Sequence, residues 1–242
     1  MIDLNEYKNK IIAHRGIFDN KAIPENSIKS FKLALDKNLT IELDVHLTKD
    51  NELVVFHDDN LKRMTGIDSI IESFSLKEIK KLKLLDTNEI IPTLDEVLKL
   101  VDGKVLLDIE IKVNRNDKKI VKKLLETLDT YNGKAIIKSF NPLAVKEVKK
   151  NTNKYLVGLL IDYYTDNKIF NFFSKTSIFI RFCKPDFLGI NKKMLNTKNI
   201  KKYLNKLPIM VWTIKKEDEI TKINNENFIY ICNNLPYENN NT

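Results

Sequence analysis

The sequence predicts an α/β protein built as one (β/α)8 TIM barrel, with a small insertion after a hairpin that extends the second strand. Eight apolar runs rich in β-branched residues alternate with helix-like segments almost to the end of the chain, as in parallel strands joined by crossover helices. The chain has 242 residues, close to the typical length of that barrel, and 43% of them are hydrophobic, enough to fill a core. An open doubly wound sheet is the alternative fold, but no Gly-rich phosphate loop follows the first strand.

The elements are predicted from apolar periodicity and from signals at their ends. Pro142 suits the first turn of a helix, and Thr93–Glu96 has the form of a capping box. The predicted strands are Ile11–Gly16, Thr40–Thr48, Val105–Lys112, Lys134–Phe140, Tyr155–Asp162, Asp186–Asn191, Pro208–Ile214 and Phe228–Asn233. The predicted helices are Glu25–Lys37, Leu94–Val101, Lys118–Leu128, Pro142–Lys150, Thr197–Asn205 and Lys216–Asn225.

One stretch breaks the alternation of strands and helices. A turn at Lys49–Glu52 leads straight into Leu53–His57, with no room for a crossover helix, so Leu53–His57 is predicted to fold back antiparallel on the second strand. Residues 58–92 carry a short helix signal at Leu76–Leu84 and are interpreted as an insertion over one end of the barrel. No internal repeat or linker is visible, so residues 1–242 are predicted to form one domain with a frayed tail at 237–242.

Composition argues against several classes of protein. The net charge is +8, but only four of the 41 basic residues are arginine and the lysines are spread along helical stretches, which favours a solvated surface over a nucleic-acid-binding face. No apolar run approaches the roughly 18 residues of a membrane span, and the polar Met1–Lys10 lacks a signal-peptide core. Cys183 and Cys232 match no metal or redox spacing. We therefore expect a cytoplasmic protein without stable membrane insertion, and its oligomeric state is left open.

Three carboxylates are predicted to converge at the carboxyl ends of the strands, where barrel enzymes carry their chemistry. Glu42 and Asp44 share one face of the second strand, and Glu110 shares a face with Lys112 in a later strand. Three uncompensated carboxylates would raise one another's pKa values, and a divalent cation relieves that repulsion. Oxygen-only ligands indicate Mg²⁺ or Ca²⁺ rather than zinc. Spacing alone leaves a second interpretation open, in which these acids are rim residues paired with lysines.

The three histidines of the chain each close a strand-like run. His14 and His57 are candidates for proton transfer, because the predicted hairpin brings His57 toward the carboxylates of the second strand. His46 follows Asp44 near the hairpin turn and is interpreted as a rim residue rather than a catalyst. With Arg15 directly after His14, the set suits cleavage of a phosphate ester with help from a divalent metal.

Several motifs in a fixed order resemble those of the glycerophosphodiester phosphodiesterase family. The resemblance covers nearly the whole chain and is densest over residues 11–66. The motifs are His14-Arg15-Gly16, Pro24-Glu25-Asn26-Ser27, Ser30-Phe31, Glu42-x-Asp44-Val45, Thr48-x-Asp50, Val54-Val55-Phe56-His57-Asp58 with Leu61 and Arg63, Glu110-Ile111-Lys112, Ser139-Phe140 and Trp212-Thr213.

The resemblance implies a (β/α)8 barrel in which Glu42, Asp44 and Glu110 hold one divalent cation, Mg²⁺ or Ca²⁺. It also implies that His14 and His57 form the acid–base pair, and which of them is the acid is left open.

The remaining implied site residues surround that centre. Arg15 and Lys112 are implied to contact the phosphate, and Glu25 to orient the motif around it. Asn26 is implied as a further polar contact. Trp212 matches an aromatic that lines the alcohol pocket in the family, with a core tryptophan as the alternative.

The implied activity is metal-dependent hydrolysis of a small-molecule glycerophosphodiester to sn-glycerol 3-phosphate and an alcohol. The family is thought to use the substrate's own glycerol hydroxyl as nucleophile, through a cyclic phosphate that water then opens. Two alternatives stay open: a lysophospholipase D-type enzyme acting on acylated substrates, and a sugar-phosphate-binding barrel without turnover. A glycosidase would also use paired acids, but it has no phosphate for His14-Arg15 to neutralise. The sequence leaves the head group open.

Two features depart from the family or lie outside its motifs. Asn234 stands where the family has an acid after the last strand, and Lys215 stands where asparagine is common. Neither belongs to the implied catalytic set, so activity is expected to survive with an altered substrate preference. The aromatic segment Ile169–Ile180 is interpreted as packing on the outer wall, and an apolar flap that accepts an acyl chain is the alternative.

Overall fold

A computed structural model describes residues 2–8, 10–113, 118–162 and 178–233. Eight parallel strands close into a barrel, because the first strand pairs with both the second and the last. This confirms the predicted (β/α)8 fold. The strands are β1 Ile11–His14, β2 Thr40–Leu47, β3 Leu53–Val55, β4 Leu107–Ile111, β5 Ala135–Ser139, β6 Val157–Ile161, β7 Phe187–Asn191, β8 Ile209–Ile214 and β9 Phe228–Cys232, of which β3 is the additional antiparallel strand.

The strand register places the polar residues of the early strands next to one another. His14 lies opposite Glu42 in the β1–β2 pair, and Asp44 lies opposite Glu110 in the β2–β4 pair. Glu110 in turn lies opposite Lys138 on β5. Because alternate residues of a strand point to the same side, these side chains share the barrel interior.

The helices of the described ranges lie between the strands or within the insertion. They are α1 Ile28–Asp36, α2 Lys62–Thr65, α3 Leu76–Ile79, α4 Leu94–Val101, α5 Lys118–Asp129, α6 Pro142–Asn151, α7 Ile178–Cys183, α8 Lys198–Lys201 and α9 Glu217–Ile223. None of them is both long enough and apolar enough to cross a membrane.

Four helices, α1, α3, α8 and α9, are shorter than predicted, and the differences at α1 and α8 have clear local causes. Helix α1 begins at Ile28 rather than Glu25, because Ser27 is its N-cap and forms a reciprocal capping box with Ser30. Helix α8 spans one turn, Lys198–Lys201. The chain then continues toward Pro208 in tight turns, in the first of which Tyr203 donates its backbone N–H to the carbonyl of Ile200. The late start of α1 leaves Glu25 and Asn26 in a loop beside the barrel mouth.

The hairpin and the insertion form as predicted. Strand β3 pairs antiparallel with the end of β2, with Val55 opposite Val45. The segment that follows buries its own small apolar cluster, which joins it to β3 through Val54 and Phe56. Its other buried members are Leu61, Met64, Ile71, Ile79, Leu84 and Ile91. The predicted frayed tail at 237–242 lies outside the described residues.

Two apolar layers hold the barrel together. One lies between the strands and the surrounding helices, and it includes Leu43, Ile109 and Val211. A smaller cluster fills the barrel interior, where Ile12 and Met210 are buried. The interior is therefore apolar at the amino end of the strands and charged at their carboxyl end, where the site lies.

Candidate active site

Three buried carboxylates meet at the carboxyl ends of β2 and β4. Glu42, Asp44 and Glu110 each offer an oxygen, and these oxygens lie within 4.8 Å of one another. Asp44 and Glu110 are cross-strand neighbours, and Glu42 precedes Asp44 by two residues on the same face. The arrangement suits one hard divalent cation with oxygen ligands.

The polar atoms around Asp44 support that interpretation. Asn26 donates its side-chain N–H to Asp44 Oδ2 at 2.9 Å, and Arg15 Nε lies 3.5 Å from the same oxygen. Lys112 Nζ is 3.1 Å from Asp44 Oδ1. Within the described residues, Asp44 Oδ1, Asn26 Oδ1 and Arg15 Nε are buried without a partner in hydrogen-bond geometry. Asp44 thus lies between two cations, and the partnerless Asn26 Oδ1 beside it is an acceptor that suits a further cation.

The pKa values of the two cross-strand carboxylates, Asp44 and Glu110, are shifted in opposite directions. Burial favours the neutral form of Asp44, but Lys112, His57 and Arg15 hold the pKa of its carboxyl well below the usual range. Burial raises the pKa of Glu110, against the opposing effect of Lys112. Lys112 Nζ donates to Glu110 Oε1 at 2.6 Å and so links the two acids. Their charges raise the pKa of Lys112, which therefore stays cationic as a phosphate contact must.

A sharp turn after β1 places Arg15 over the carboxylates. Arg15 has a φ of 58° and donates its backbone N–H to Glu42 Oε2 at 3.0 Å. Gly16 follows with a φ of 81°, and a Cβ there would lie 2.7 Å from the backbone carbon of Ser30, so only glycine fits. The Arg15 side chain donates from Nη1 to Glu25 Oε1 at 2.7 Å.

His14 is held from both sides in the barrel mouth. Its Nδ1 lies 2.5 Å from Asn233 Oδ1, and since an amide oxygen only accepts, Nδ1 carries the proton. Its Nε2 is 4.0 Å from Glu42 Oε2. Burial lowers the pKa of His14 to about 4, so the imidazole is neutral at neutral pH and its Nε2 is able to accept a proton.

Asn233 is a residue that sequence reasoning missed. The end of the last strand was treated as lying outside the catalytic set, yet Asn233 contacts the predicted catalytic His14. The available signal was its position, because it directly follows β9 at the carboxyl edge of the barrel. Its neighbour Asn234, the noted departure from the family, lies outside the described residues, and Lys215 is exposed.

His57 lies in the mouth, and Trp212 packs against a residue that shares its cavity. The His57 Nδ1 is 2.6 Å from Asp58 Oδ1, which leaves Nε2 free for proton transfer. A cavity of about 750 Å³ opens here, and His57, Arg63, Lys112 and Phe140 are among its lining residues. Trp212 meets this wall through an edge-to-face contact with Phe140, with ring centroids 5.5 Å apart.

The rim position predicted for His46 was wrong. Its side chain is fully buried rather than on the rim, because the short turn Ile71–Ser73 of the insertion packs over the end of β2. His46 Nε2 lies 3.4 Å from the backbone carbonyl of His57, and Nδ1 lies 3.7 Å from Glu72. These contacts place the buried ring of His46 against the backbone of His57, the candidate for proton transfer.

Sequence reasoning also missed a buried ion pair below the carboxylate cluster. Lys138 is 1% exposed and donates from Nζ to Asp108 Oδ2 at 2.6 Å, and the same Nζ lies 3.1 Å from Glu42 Oε1. Burial raises the pKa of Asp108 to about 6, although Lys138 opposes that shift, and the two acids raise the pKa of Lys138. A lysine at an inward position of the apolar strand β5 was the signal.

Replacing Lys138 by Met is expected to destabilise the protein by about 3–5 kcal/mol, because Asp108 and Glu42 are left buried without their cation. Chemical denaturation of the purified variant measures the loss. Lys138→Met combined with Asp108→Asn removes one of the stranded charges and is expected to recover part of the stability. A double variant as unstable as the single one would contradict this explanation.

The ion pairs of Glu25 make the stability of the protein depend on pH. Burial opposes its ionisation, but Arg63 and Arg15 lower its pKa from the usual 4.5 to about 2. Because the folded-state pKa is depressed, the stabilisation of about 3 kcal/mol is fully present above pH 4.5 and is lost as the pH falls toward 2. The stability difference between wild type and Glu25→Gln is therefore expected to shrink from pH 6 to pH 3 in urea titrations. An undiminished difference at pH 3 would contradict the linkage.

Comparisons with known proteins show the family of the chain. A sequence model of the glycerophosphoryl diester phosphodiesterase family matches residues 14–230. A glycerophosphodiester phosphodiesterase of Caldanaerobacter subterraneus is 42% identical over 164 residues, which are 63% of this chain and 67% of that protein. The uncharacterized protein MG293 of Mycoplasma genitalium is 33% identical over 238 residues, covering 92% of this chain and 93% of its own length.

Solved structures show the same barrel. A Thermotoga maritima glycerophosphodiester phosphodiesterase is 26% identical with a TM-score of 0.71, and the match covers 93% of both chains. An Oleispira antarctica phosphodiesterase, solved in complex with the product sn-glycerol-3-phosphate, is 22% identical with a TM-score of 0.80, over 96% of this chain and 95% of that one. With the family model matched over most of its length, the chain belongs to the glycerophosphoryl diester phosphodiesterase family and is a hydrolase of that family.

Proposed function

We propose that this protein hydrolyses glycerophosphodiesters to sn-glycerol 3-phosphate and an alcohol, using a divalent cation held by Glu42, Asp44 and Glu110. The observation that carries the proposal is the cluster in which oxygens of these acids lie within 4.8 Å of one another, with His14 beside them. The Oleispira phosphodiesterase of the same fold was solved with sn-glycerol-3-phosphate as its product.

The carboxylate site fits Mg²⁺ or Ca²⁺, because its ligands are oxygens and the buried Asn26 Oδ1 beside Asp44 has no hydrogen-bond donor among the described residues. When bound, such a cation neutralises charge on the phosphate oxygens. The side chains of Arg15 and Lys112 add positive charge from either side of Asp44 and hold the phosphate anion.

Proton transfer is assigned to the free Nε2 atoms of the two histidines. Asn233 holds Nδ1 of His14, and Asp58 holds Nδ1 of His57, so both rings turn Nε2 away from their supporting partners. One histidine accepts the proton of the glycerol hydroxyl that attacks phosphorus, and the other donates a proton to the departing alkoxide. Water then opens the cyclic phosphate to sn-glycerol 3-phosphate, with the roles of the two histidines reversed. Phe140, against which Trp212 packs, lines the side proposed to receive the alcohol.

The test is an assay of the purified protein on glycerophosphocholine, with release of sn-glycerol 3-phosphate followed by ³¹P NMR. Hydrolysis is the expected result. Binding of sn-glycerol 3-phosphate by calorimetry without turnover would replace the proposal with a phosphate-binding barrel. Cleavage of an aryl glycoside in place of the diester would indicate a glycosidase.

A lysophospholipase D is the second candidate, because an apolar cavity adjoins the site. A space of about 560 Å³ shares Val113 and Phe140 with the polar cavity and is lined further by Leu143, Phe179 and Phe182. The human lysophospholipase D GDPD1 is 34% identical over 139 residues, 52% of this chain and 43% of that protein. Most of the aromatic segment proposed as an acyl flap lies outside the described residues, which resume at Ile178.

We predict that glycerophosphocholine is turned over at least as efficiently as the matching lysophospholipid, because the cavity beside His57 is lined mainly by charged and polar residues. Each buried methylene contributes about 0.8 kcal/mol, so a functional acyl site would raise kcat/KM roughly fourfold per added carbon. Specificity constants over a series of acyl lengths measure this. A steep rise that is lost in Phe182→Ser, and kept in the exposed apolar control Ile90→Ser, would favour the lysophospholipase D.

A further inference from the structure

Arg63, on the inserted helix α2, joins two carboxylates that come from different loops. Its Nε and Nη2 contact Asp58 Oδ2 and Oδ1 at 2.6 and 3.1 Å. Its Nη2 and Nη1 contact Glu25 Oε1 and Oε2 at 2.6 and 3.2 Å. One planar guanidinium thus forms two forks, a geometry that the ammonium group of lysine lacks.

Each of these carboxylates also holds one residue of the proposed active site. Glu25 Oε1 accepts from Arg15 Nη1 at 2.7 Å, and Asp58 Oδ1 accepts from His57 Nδ1 at 2.6 Å. The contacts therefore form one unbroken chain, in the order Arg15, Glu25, Arg63, Asp58, His57. Its two ends are the proposed phosphate contact and one of the proposed proton-transfer groups.

The links of this chain of contacts differ in burial. Glu25 is 5% exposed and is also held by Asn20, which donates to Glu25 Oε2 at 2.8 Å. Arg63 is 44% exposed and lines the cavity, but its guanidinium contacts Glu25 and Asp58, and its Nη1 also lies 3.2 Å from Met64 Sδ. Arg63 belongs to the insertion, whereas Glu25 belongs to the loop between β1 and α1. This chain of contacts therefore connects the insertion to the barrel.

We propose that Arg63 is a positioning residue that fixes His57 and Arg15 relative to each other when the insertion docks on the barrel. This inference rests on the proposed function. By orienting the Asp58 carboxylate, Arg63 keeps the proton of the neutral His57 ring on Nδ1 and turns Nε2 to the substrate. By holding Glu25, it keeps the Arg15 guanidinium above Asp44.

Kinetics of Arg63→Gln test the proposal, with Arg181→Gln as the control at an exposed arginine of α7. Misplaced catalytic groups are expected to lower kcat by roughly tenfold to a hundredfold, while KM changes less than about threefold. Arg63→Lys is expected to recover only part of kcat, because it restores the charge without both forks. Asp58→Asn should add little to the loss in the Arg63→Gln background, since both changes break the same chain. A rise in KM at unchanged kcat would overturn the proposal and make Arg63 a substrate contact.

A second readout does not depend on turnover. The sequence has three histidines, so ¹⁵N NMR of labelled imidazoles resolves each ring. Wild type is expected to show His57 protonated on Nδ1 at a pH where the ring is neutral, and Arg63→Gln or Arg63→Lys to show a mixture of tautomers. An unchanged His57 tautomer in folded variants would overturn the inference. Failure of wild type to hydrolyse glycerophosphocholine would instead count against the proposed function, and the NMR result would still test Arg63.

Discussion

Protein stripped with EDTA is expected to lose hydrolysis of glycerophosphodiesters, and Mg²⁺ or Ca²⁺ is expected to restore it. The reason is electrostatic, because oxygens of three buried acids, Glu42, Asp44 and Glu110, lie within 4.8 Å of one another. Lys112 and Lys138 compensate part of that charge, at 2.6 Å from Glu110 and 3.1 Å from Glu42. A cation that supplies the rest also faces the phosphate, so its removal takes away substrate binding and charge neutralisation together.

The variant Glu110→Gln tests the ligand assignment directly. Loss of a group that merely holds a metal ligand costs about 10- to 100-fold in affinity, so loss of a ligand should cost at least that much in calorimetric titrations with Mg²⁺ or Ca²⁺. The fold should survive, because burial already raises the pKa of Glu110 and a neutral amide suits the position. Glu126→Gln, at an exposed glutamate of α5, is the matched control. Full activity in metal-free protein would refute the assignment.

The sequence predicted correctly that three carboxylates converge, because local periodicity carries the needed information. Glu42 and Asp44 are two residues apart on one strand, and Glu110 lies in the next parallel strand of the barrel. Parallel strands end at the same edge, so strand-end acids on neighbouring strands must meet. The hairpin that brings His57 to this edge was also visible, as a turn too short for a helix.

The missed residues depend on contacts that no local pattern records. Asn233 reaches His14 only because β9 closes the barrel against β1, 219 positions away in sequence. Lys138 and Asp108 are 30 residues apart and pair through the register of β4 and β5. His46 was placed on the rim from its position near the end of a strand alone. The turn that buries it belongs to the insertion, which strand periodicity does not describe. The contacts of these residues therefore depend on closure of the barrel and docking of the insertion, which local sequence patterns do not show.

Alanine at His14 or His57 is expected to lower turnover by roughly a hundredfold or more, the usual weight of general acid–base catalysis. Each ring is held at Nδ1, by Asn233 or by Asp58, and presents Nε2. Removing either ring takes a proton acceptor or donor from the reaction and leaves the carboxylate cluster in place. The loss should therefore appear in kcat, with metal affinity and KM much less changed.

His46→Ala is the matched histidine control, and it is expected to reduce kcat much less than either of the other two. Its ring is fully buried and contacts the backbone carbonyl of His57 at 3.4 Å, so the change should act mainly on stability, which thermal unfolding measures. Steady-state kinetics of all three variants on glycerophosphocholine separate the roles. If His46→Ala lowered kcat more than His57→Ala while remaining folded, proton transfer would have to be reassigned to the buried ring. The contact with the His57 carbonyl would then be part of the catalytic machinery rather than a support behind it.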